Sequence, residues 1–158
     1  MFLLSPRSRR KVDMHSRRRP TRVLLVEDND AYALTLECIF LASDKVEVVG
    51  RARDGAEGIG LAFALEPDCV LMDLSMPIID GLEATRTICS RLPLVRVVIL
   101  TSSDDPGDRA YARAAGAGSY LTKGCSLREL ESAVTRGRVT RLLPPQAQAV
   151  VTTELAAS

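Results

Sequence analysis

The sequence predicts an α/β protein of one domain, with a five-stranded parallel sheet covered by helices on both faces. Five short runs rich in β-branched residues alternate strictly with five amphipathic stretches, and this alternation is typical of parallel sheets. The first run, residues 23–26 (VLLV), is apolar at every position, as expected of a strand buried on both faces. A chain of 158 residues with 46% hydrophobic content is long enough to build one such core.

The strands are predicted from short runs of three to six residues rich in β-branched and other apolar side chains. They are expected at residues 23–26, 46–51, 69–72, 95–100 and 119–121. No internal repeat connects these segments, which favours one sheet over a repeat architecture.

The first three helices are predicted mainly from apolar periodicity. Tyr32, Leu36 and Phe40 recur at the spacing of one helix face. The second and third helices are expected at residues 55–65 and 82–92. Gly58 and Gly60 weaken the prediction of the second helix, because each glycine costs about 1 kcal/mol relative to alanine.

The last two helices carry end signals. Asp105 and Pro106 form an N-cap and first-turn pair, and Gly116 is placed to end that helix. Residues 126–129 (SLRE) form a capping box, which predicts a fifth helix that ends before Gly137.

The formal net charge of +1 is the sum of two unlike parts. Residues 1–22 contain eight basic residues and one acidic residue, whereas the remainder contains 13 basic and 19 acidic residues. The basic segment lacks apolar periodicity, so we expect residues 1–21 to be a disordered basic arm. Residues 22–137 are expected to form the folded domain, and residues 138–158 a C-terminal tail.

The composition excludes several classes of function. The single histidine, His15, lies in the basic arm, which argues against histidine-based catalysis and histidine metal clusters. The four cysteines form no C-x-x-C pair, so zinc binding is not expected, and we interpret them as small buried hydrophobic residues. No apolar run approaches the roughly 18 residues of a membrane span, and no signal-peptide pattern is present. A cytoplasmic protein without membrane association is expected.

Chemically active residues follow the predicted strands. Glu27 and Asp28 follow the first strand, Asp73 the third, Thr101 the fourth and Lys123 the fifth. Because ligands of open α/β sheets bind beyond the carboxyl ends of the strands, we expect these side chains to converge. Three carboxylates at one edge repel one another unless a cation is present, and all-oxygen ligands suit Mg²⁺.

This grouping predicts phosphoryl-transfer chemistry. Asp73 would be the nucleophile, because carboxylates can form aspartyl-phosphates. Thr101 would donate a hydrogen bond to a phosphoryl oxygen, and Lys123 would supply a compensating positive charge.

Each of these residues also has a purely structural explanation. Asp28 could cap the first helix, and Asp73 could begin the turn that follows its strand. Thr101 could be an ordinary strand residue, and Lys123 a solvated lysine. The joint position of all of them at one sheet edge favours the functional interpretation.

Three segments resemble the receiver domains of bacterial two-component response regulators. They are residues 23–29 (VLLVEDN), 71–81 (LMDLSMPIIDG) and 115–123 (AGAGSYLTK), and the resemblance runs from about residue 22 to residue 137. It implies a flavodoxin-like (βα)5 sheet with the strand order 2-1-3-4-5. It also implies a signalling function in a phosphorelay, with a cognate histidine kinase as the phosphoryl donor.

The resemblance assigns roles residue by residue. Asp73 matches the phospho-accepting aspartate, and Glu27 and Asp28 match the acidic pair that holds Mg²⁺ together with the backbone carbonyl of Ser75. Thr101 matches the switch hydroxyl that turns toward the phosphoryl group, and Tyr120 matches the aromatic that turns inward with it. Lys123 matches the lysine that pairs with the phosphoryl oxygens.

Two positions depart from the commoner family pattern. Glu27 stands where an aspartate is more frequent, which lengthens one metal-binding arm without removing a charge. Gly124 follows Lys123 where many receivers have proline, so a cis-proline turn cannot form there.

The residues after the folded domain bear on how a receiver of this kind would act on its target. The receivers that this chain most resembles precede helix-turn-helix domains of roughly 60 residues, and only 21 residues follow Gly137. We therefore expect either a receiver that acts on an unknown protein partner or a truncated relative of a transcription regulator, and no specific DNA binding. A homodimer through the fourth helix, fifth strand and fifth helix is compatible with Arg109, Arg113 and Arg128 on that surface.

A different class of function is a small phosphatase or phosphotransferase that uses Asp73 on external substrates. Such an enzyme would need an acid/base carboxylate two residues after the nucleophile, and Ser75 occupies that position. The receiver is therefore preferred, with at most self-phosphorylation and autodephosphorylation at Asp73.

Overall fold

The computed structural model describes residues 19–137, which form five strands and five helices in strict alternation. The strands are β1 (Thr21–Val26), β2 (Val46–Ala52), β3 (Cys69–Met72), β4 (Arg96–Thr101) and β5 (Ser119–Thr122). The helices are α1 (Asp30–Leu41), α2 (Gly55–Leu65), α3 (Gly81–Arg91), α4 (Pro106–Ala115) and α5 (Leu127–Thr135). None of the helices within residues 19–137 is long and apolar enough to cross a membrane.

All strands of the sheet are parallel, and their order is β2-β1-β3-β4-β5. The predicted fold class and strand order are therefore confirmed. β2 lies on one side of β1, and the chain then crosses to the other side of β1 to form β3. This places β1 and β3 side by side at the reversal, where open α/β sheets bind ligands.

The two faces of the sheet carry separate apolar cores, because successive side chains of a strand point to opposite faces. Leu24 and Val26 of β1 pack with α2, α3 and α4, whereas Val23 and Leu25 pack with α1 and α5. All four of these side chains are at most 1% exposed. The continuous apolar run of β1 thus reflects burial on both sides.

The end signals of the last two helices are confirmed. Asp105 is the N-cap of α4 with Pro106 in its first turn, and Gly116 ends the helix in the left-handed conformation with φ of 106°. Ser126 and Glu129 form the reciprocal hydrogen bonds of the capping box at the start of α5.

Some element boundaries differ by one or two residues from the predicted ones. The N–H of Thr21 donates to the carbonyl of Lys45 at 2.8 Å, and β1 begins at Thr21, two residues before the predicted start of the strand at residue 23. The N–H of Val95 donates to Leu92 in a turn, and β4 therefore begins at Arg96 instead of Val95.

The two glycines of α2 lie in different surroundings. A Cβ atom on Gly58 would lie 2.9 Å from Cγ1 of Val26, whereas one on Gly60 would meet nothing within 4 Å. Gly58 therefore allows α2 to approach β1 closely, and the helix forms despite its weak propensity.

The prediction that the cysteines are buried is correct for Cys69 and wrong for Cys38. Cys69 is buried in β3, Cys89 and Cys125 are half-buried, and Cys38 is exposed on α1. Cys38 lies on the outer face of its helix, which apolar neighbours in sequence do not reveal. Residues 1–18 of the predicted arm and the predicted tail at 138–158 lie outside the described residues.

Candidate functional site

The predicted site residues converge at the carboxyl edge of the sheet. Glu27 and Asp28 follow β1, Asp73 follows β3, Thr101 is the last residue of β4, and Lys123 follows β5. These segments are neighbours because β1 lies beside β3, β3 beside β4, and β4 beside β5. Parallel strands point their carboxyl ends the same way, so residues far apart in sequence meet there.

Three carboxylates form the acidic part of the site. Glu27, Asp28 and Asp73 each offer an oxygen atom, and these atoms lie within 4.8 Å of one another. Glu27 and Asp73 are only 3% and 5% exposed, whereas Asp28 is open to solvent. A set of oxygen donors only, with one arm accessible, has the chemistry that Mg²⁺ prefers, so these residues fit that ion.

Lys123 compensates the two buried carboxylates. Its Nζ lies 2.7 Å from Oε2 of Glu27 and 3.2 Å from Oδ2 of Asp73. Burial raises the pKa of Glu27 above its usual value, although the hydrogen bond from Lys123 acts in the opposite direction. Burial lowers the pKa of Lys123, but the hydrogen bond to Glu27 and the charges of both carboxylates outweigh it and leave this pKa above its usual value. Lys123 is therefore a charged partner within the site.

The ring of Tyr32 completes the surroundings of this ammonium group. Nζ of Lys123 lies 4.5 Å from the ring centroid, which is within the range of a cation–π interaction. The periodicity of α1 places Tyr32 on a helix face but does not indicate a role in the site. Its position in the first turn of α1, four residues after Asp28, places it near the sheet edge but does not indicate which group its ring contacts.

The backbone around Asp73 is held by both neighbouring segments. The N–H of Asp73 donates to the carbonyl of Val26 at 3.0 Å, and the N–H of Ser75 donates to Oδ1 of Asp73 at 3.4 Å. A Cβ atom on Gly81 would lie 2.0 Å from the carbonyl oxygen of Asp73, so only glycine permits the start of α3 to lie this close. A ligand role for the carbonyl of Ser75 remains a prediction.

Ser103 connects Thr101 with Tyr120. Thr101 is 1% exposed, and its Oγ1 accepts a hydrogen bond from the N–H of Ser103 at 3.4 Å. The hydroxyl of Tyr120 donates to the carbonyl of Ser103 at 2.8 Å, and the guanidinium of Arg109 lies 4.6 Å from its ring centroid. The loop after β4 is thus tied to both predicted switch residues.

The structural explanation proposed for Asp28 is wrong. The N-cap of α1 is Asn29, whose side chain accepts from the N–H of Tyr32. Asp28 is therefore not the capping residue, and its carboxylate faces the acidic cluster.

Comparison with known proteins identifies the class to which this fold and site belong. Residues 23–135 match the family model of the response regulator receiver domain. The chain belongs to this family, as the resemblance of its motifs implies. Response regulators are phosphorylated by histidine kinases and act on downstream targets, and their receiver domains bind Mg²⁺ at an acidic pocket.

Individual relatives agree with this assignment. The transcriptional regulatory protein LiaR of Bacillus subtilis is 42% identical over 114 residues, which are 72% of this chain and 54% of LiaR. The response regulator GacA of Pseudomonas viridiflava is 39% identical over 113 residues, which are 72% of this chain and 53% of GacA. The chain thus spans about half the length of the curated relatives it matches.

Solved structures show the same fold. The signal receiver domain of the response regulator NarL from Mycobacterium tuberculosis superposes with a TM-score of 0.71 at 30% sequence identity. The match covers 74% of this chain and 94% of that structure. The similarity therefore spans nearly the whole of an isolated receiver domain.

Proposed function

We propose that this receiver domain accepts a phosphoryl group on Asp73 from the phosphohistidine of a cognate histidine kinase, in a reaction that depends on Mg²⁺. The observation that supports this most directly is the clustering of three carboxylates within 4.8 Å beside the ammonium of Lys123. Asp73 is nearly buried at the bottom of this cluster, at the end of β3.

The metal would be held by Glu27, Asp28, Asp73 and the backbone carbonyl of Ser75. Bound there, the ion supplies positive charge that neutralises the phosphoryl oxygens. The longer side chain of Glu27 keeps the charge of the commoner aspartate, so the total charge of the ligand set is unchanged.

The protein's own residues carry out the transfer. A carboxylate oxygen of Asp73 attacks phosphorus while the P–N bond of the donor breaks, and the leaving imidazole takes up a proton. Lys123 lies 3.2 Å from Oδ2 of Asp73 and is in place to pair with a phosphoryl oxygen. Self-phosphorylation from small donors and autodephosphorylation would use the same residues.

Thr101 and Tyr120 would convert phosphorylation into a change of conformation. The phosphoryl group adds roughly two negative charges and three acceptor oxygens beside Thr101. When the Thr101 hydroxyl turns toward them, it leaves the N–H of Ser103, and the carbonyl of Ser103 holds the hydroxyl of Tyr120. The hydrogen bonds of Ser103 thus support a coupled movement of both switch residues.

We propose that residues 22–137 form the receiver domain between a basic arm and a C-terminal tail. The domain would act in the cytoplasm on a downstream protein partner. Pairing of two copies through α4, β5 and α5 is supported by exposed Tyr111 on α4, and sedimentation of the phosphorylated and free chains measures it.

Phosphorylation with a small acyl phosphate tests the central assignment. With Mg²⁺ present, intact-mass spectrometry should show one added phosphoryl group on the wild type and none on Asp73→Asn. The matched control is Asp80→Asn, because Asp80 is the N-cap of α3 and asparagine is an equally good N-cap.

The outcomes separate the possibilities. A single adduct on the wild type and on Asp80→Asn, absent from Asp73→Asn, supports the assignment. An adduct that survives in Asp73→Asn, or no adduct on the folded wild type, would contradict it.

A further inference from the structure

Tyr32 contacts the lysine of the site through its ring. Nζ of Lys123 lies 4.5 Å from the ring centroid of Tyr32 while it also pairs with Glu27 at 2.7 Å and Asp73 at 3.2 Å. Two carboxylates and one aromatic face therefore surround a single ammonium group. The Lys123 side chain is 19% exposed, so most of its surface is in contact with protein.

The backbone of α1 fixes the position of Tyr32. Its N–H donates to the side chain of Asn29 at 2.9 Å at the helix N-cap, and its half-buried ring packs on the core beneath α1 and α5. Lys123 has a flexible four-carbon side chain on the segment between β5 and α5. A fixed ring beside a flexible cation restricts the positions that the cation can occupy.

We propose that Tyr32 is a positioning residue whose ring holds the ammonium of Lys123 against Asp73 for phosphoryl transfer. This inference rests on the proposed phosphorylation of Asp73. The negative face of the ring attracts the ammonium of Lys123. Because an aromatic face carries no formal charge, this attraction does not displace the ion pair between Lys123 and Asp73. Without the ring, Lys123 pairs with Glu27 alone or turns to solvent, and less positive charge remains where the phosphoryl group arrives.

The ring face, and not the hydroxyl, carries the proposed interaction. Phenylalanine retains the ring face, whereas leucine retains apolar bulk without it. Tyr32→Phe should therefore keep the phosphorylation rate within about twofold of the wild type. Tyr32→Leu should lower that rate by about five- to tenfold, the range expected for a partly desolvated cation–π contact.

Two measurements on the full chain test this. The first is the rate of adduct formation on Asp73 with a small acyl phosphate at saturating Mg²⁺, in the wild type and both variants. The same substitutions are made in a Lys123→Ala background, where loss of the ring should have no further effect on the rate. Urea unfolding of each variant confirms that the protein compared is folded.

The second measurement detects the contact without phosphorylation. In NMR spectra, the ε-methylene protons of Lys123 should be shifted upfield by the ring current in the wild type and Tyr32→Phe. The shift should be lost in Tyr32→Leu. A structural role in packing alone would not produce this dependence on the ring.

Specific results would overturn the inference. It is wrong if Tyr32→Leu reacts at the wild-type rate, if it slows the Lys123→Ala background by the same factor, or if the ring-current shift is absent. If Tyr32→Phe is as slow as Tyr32→Leu, the hydroxyl and not the ring is responsible. If the wild type forms no adduct, the proposed function fails and the positioning role fails with it, whereas the NMR shift still reports separately on the contact.

Discussion

Cys69 is the first residue of β3, the central strand of the sheet, and has no exposed surface. Burial raises its pKa from the ordinary value of 9.0 to about 11, and the nearby positive charge of Arg96 offsets only part of this effect. Cys38 on the outer face of α1 is exposed. Two cysteines with similar sequence surroundings therefore differ in exposure because the fold places them differently.

The raised pKa of Cys69 predicts a loss of stability at alkaline pH. The folded state holds the thiol proton more tightly than the unfolded state, so this contribution is complete below pH 9.0 and is lost as pH rises toward about 11. Within this window the free energy of unfolding should fall by about 1.4 kcal/mol per pH unit more in the wild type than in Cys69→Ala. Urea unfolding at several pH values measures both slopes.

Cys38→Ala is the control, because it removes an exposed thiol and leaves Cys69 in place, so the slope that Cys69 causes should persist. Parallel pH profiles for the wild type and Cys69→Ala would contradict the prediction.

Most residues at the carboxyl edge of the sheet could be predicted from the sequence, but Tyr32 could not. Glu27, Asp28, Asp73, Thr101 and Lys123 could be predicted, because each carries reactive chemistry and directly follows or ends a predicted strand. Tyr32 could not, because its apolar spacing in α1 is the same whether its ring packs on the core or on a lysine. That choice depends on the segment after β5, which carries Lys123, lying beside the first turn of α1.

At the scale of elements, α2 shows how packing overrides local propensity. Gly58 and Gly60 both disfavour a helix, yet residues 55–65 form one as predicted. Gly58 faces Val26 of β1, and Gly60 faces open space. The first glycine is required by the distance between helix and sheet, and the second is not.

Alanine at these two positions should have opposite effects. Gly58→Ala should lower the free energy of unfolding by about 1–2 kcal/mol, because the added methyl group would lie 2.9 Å from Val26 and force the helix outward. Gly60→Ala should raise it by up to about 1 kcal/mol through helix propensity alone. Urea unfolding of the two variants against the wild type gives the comparison, and changes of the same sign would refute this account of α2.

At the scale of the whole molecule, the two apolar cores described above and the predicted site residues Glu27, Asp28, Asp73, Thr101 and Lys123 all lie within residues 19–137. Every strand of the sheet lies between Thr21 and Thr122, and the last core helix, α5, ends at Thr135. The segment before β1 is also attached, because Arg19 forms an ion pair with Asp68 at 2.7 Å.

A fragment of residues 19–137 should therefore fold and react like the full chain. We expect one cooperative unfolding transition, with a midpoint close to that of residues 1–158, and the same Mg²⁺-dependent adduct on Asp73. Circular dichroism in urea and intact-mass spectrometry check the two properties. A fragment that is unfolded, or folded but unreactive, would show that the flanking segments belong to the receiver domain.

The sequence by itself determined the fold class, the order of the elements and the position of five reactive residues at the carboxyl edge of the sheet. Strand burial on both faces produces continuous apolar runs, caps mark helix ends, and reactive residues follow the strands. Tertiary structure alone decided that Tyr32 faces Lys123, that Gly58 lies against Val26 while Gly60 faces open space, and that Cys69 is buried while Cys38 is exposed. These properties depend on distances between elements far apart in sequence, and no local pattern of residues encodes such a distance.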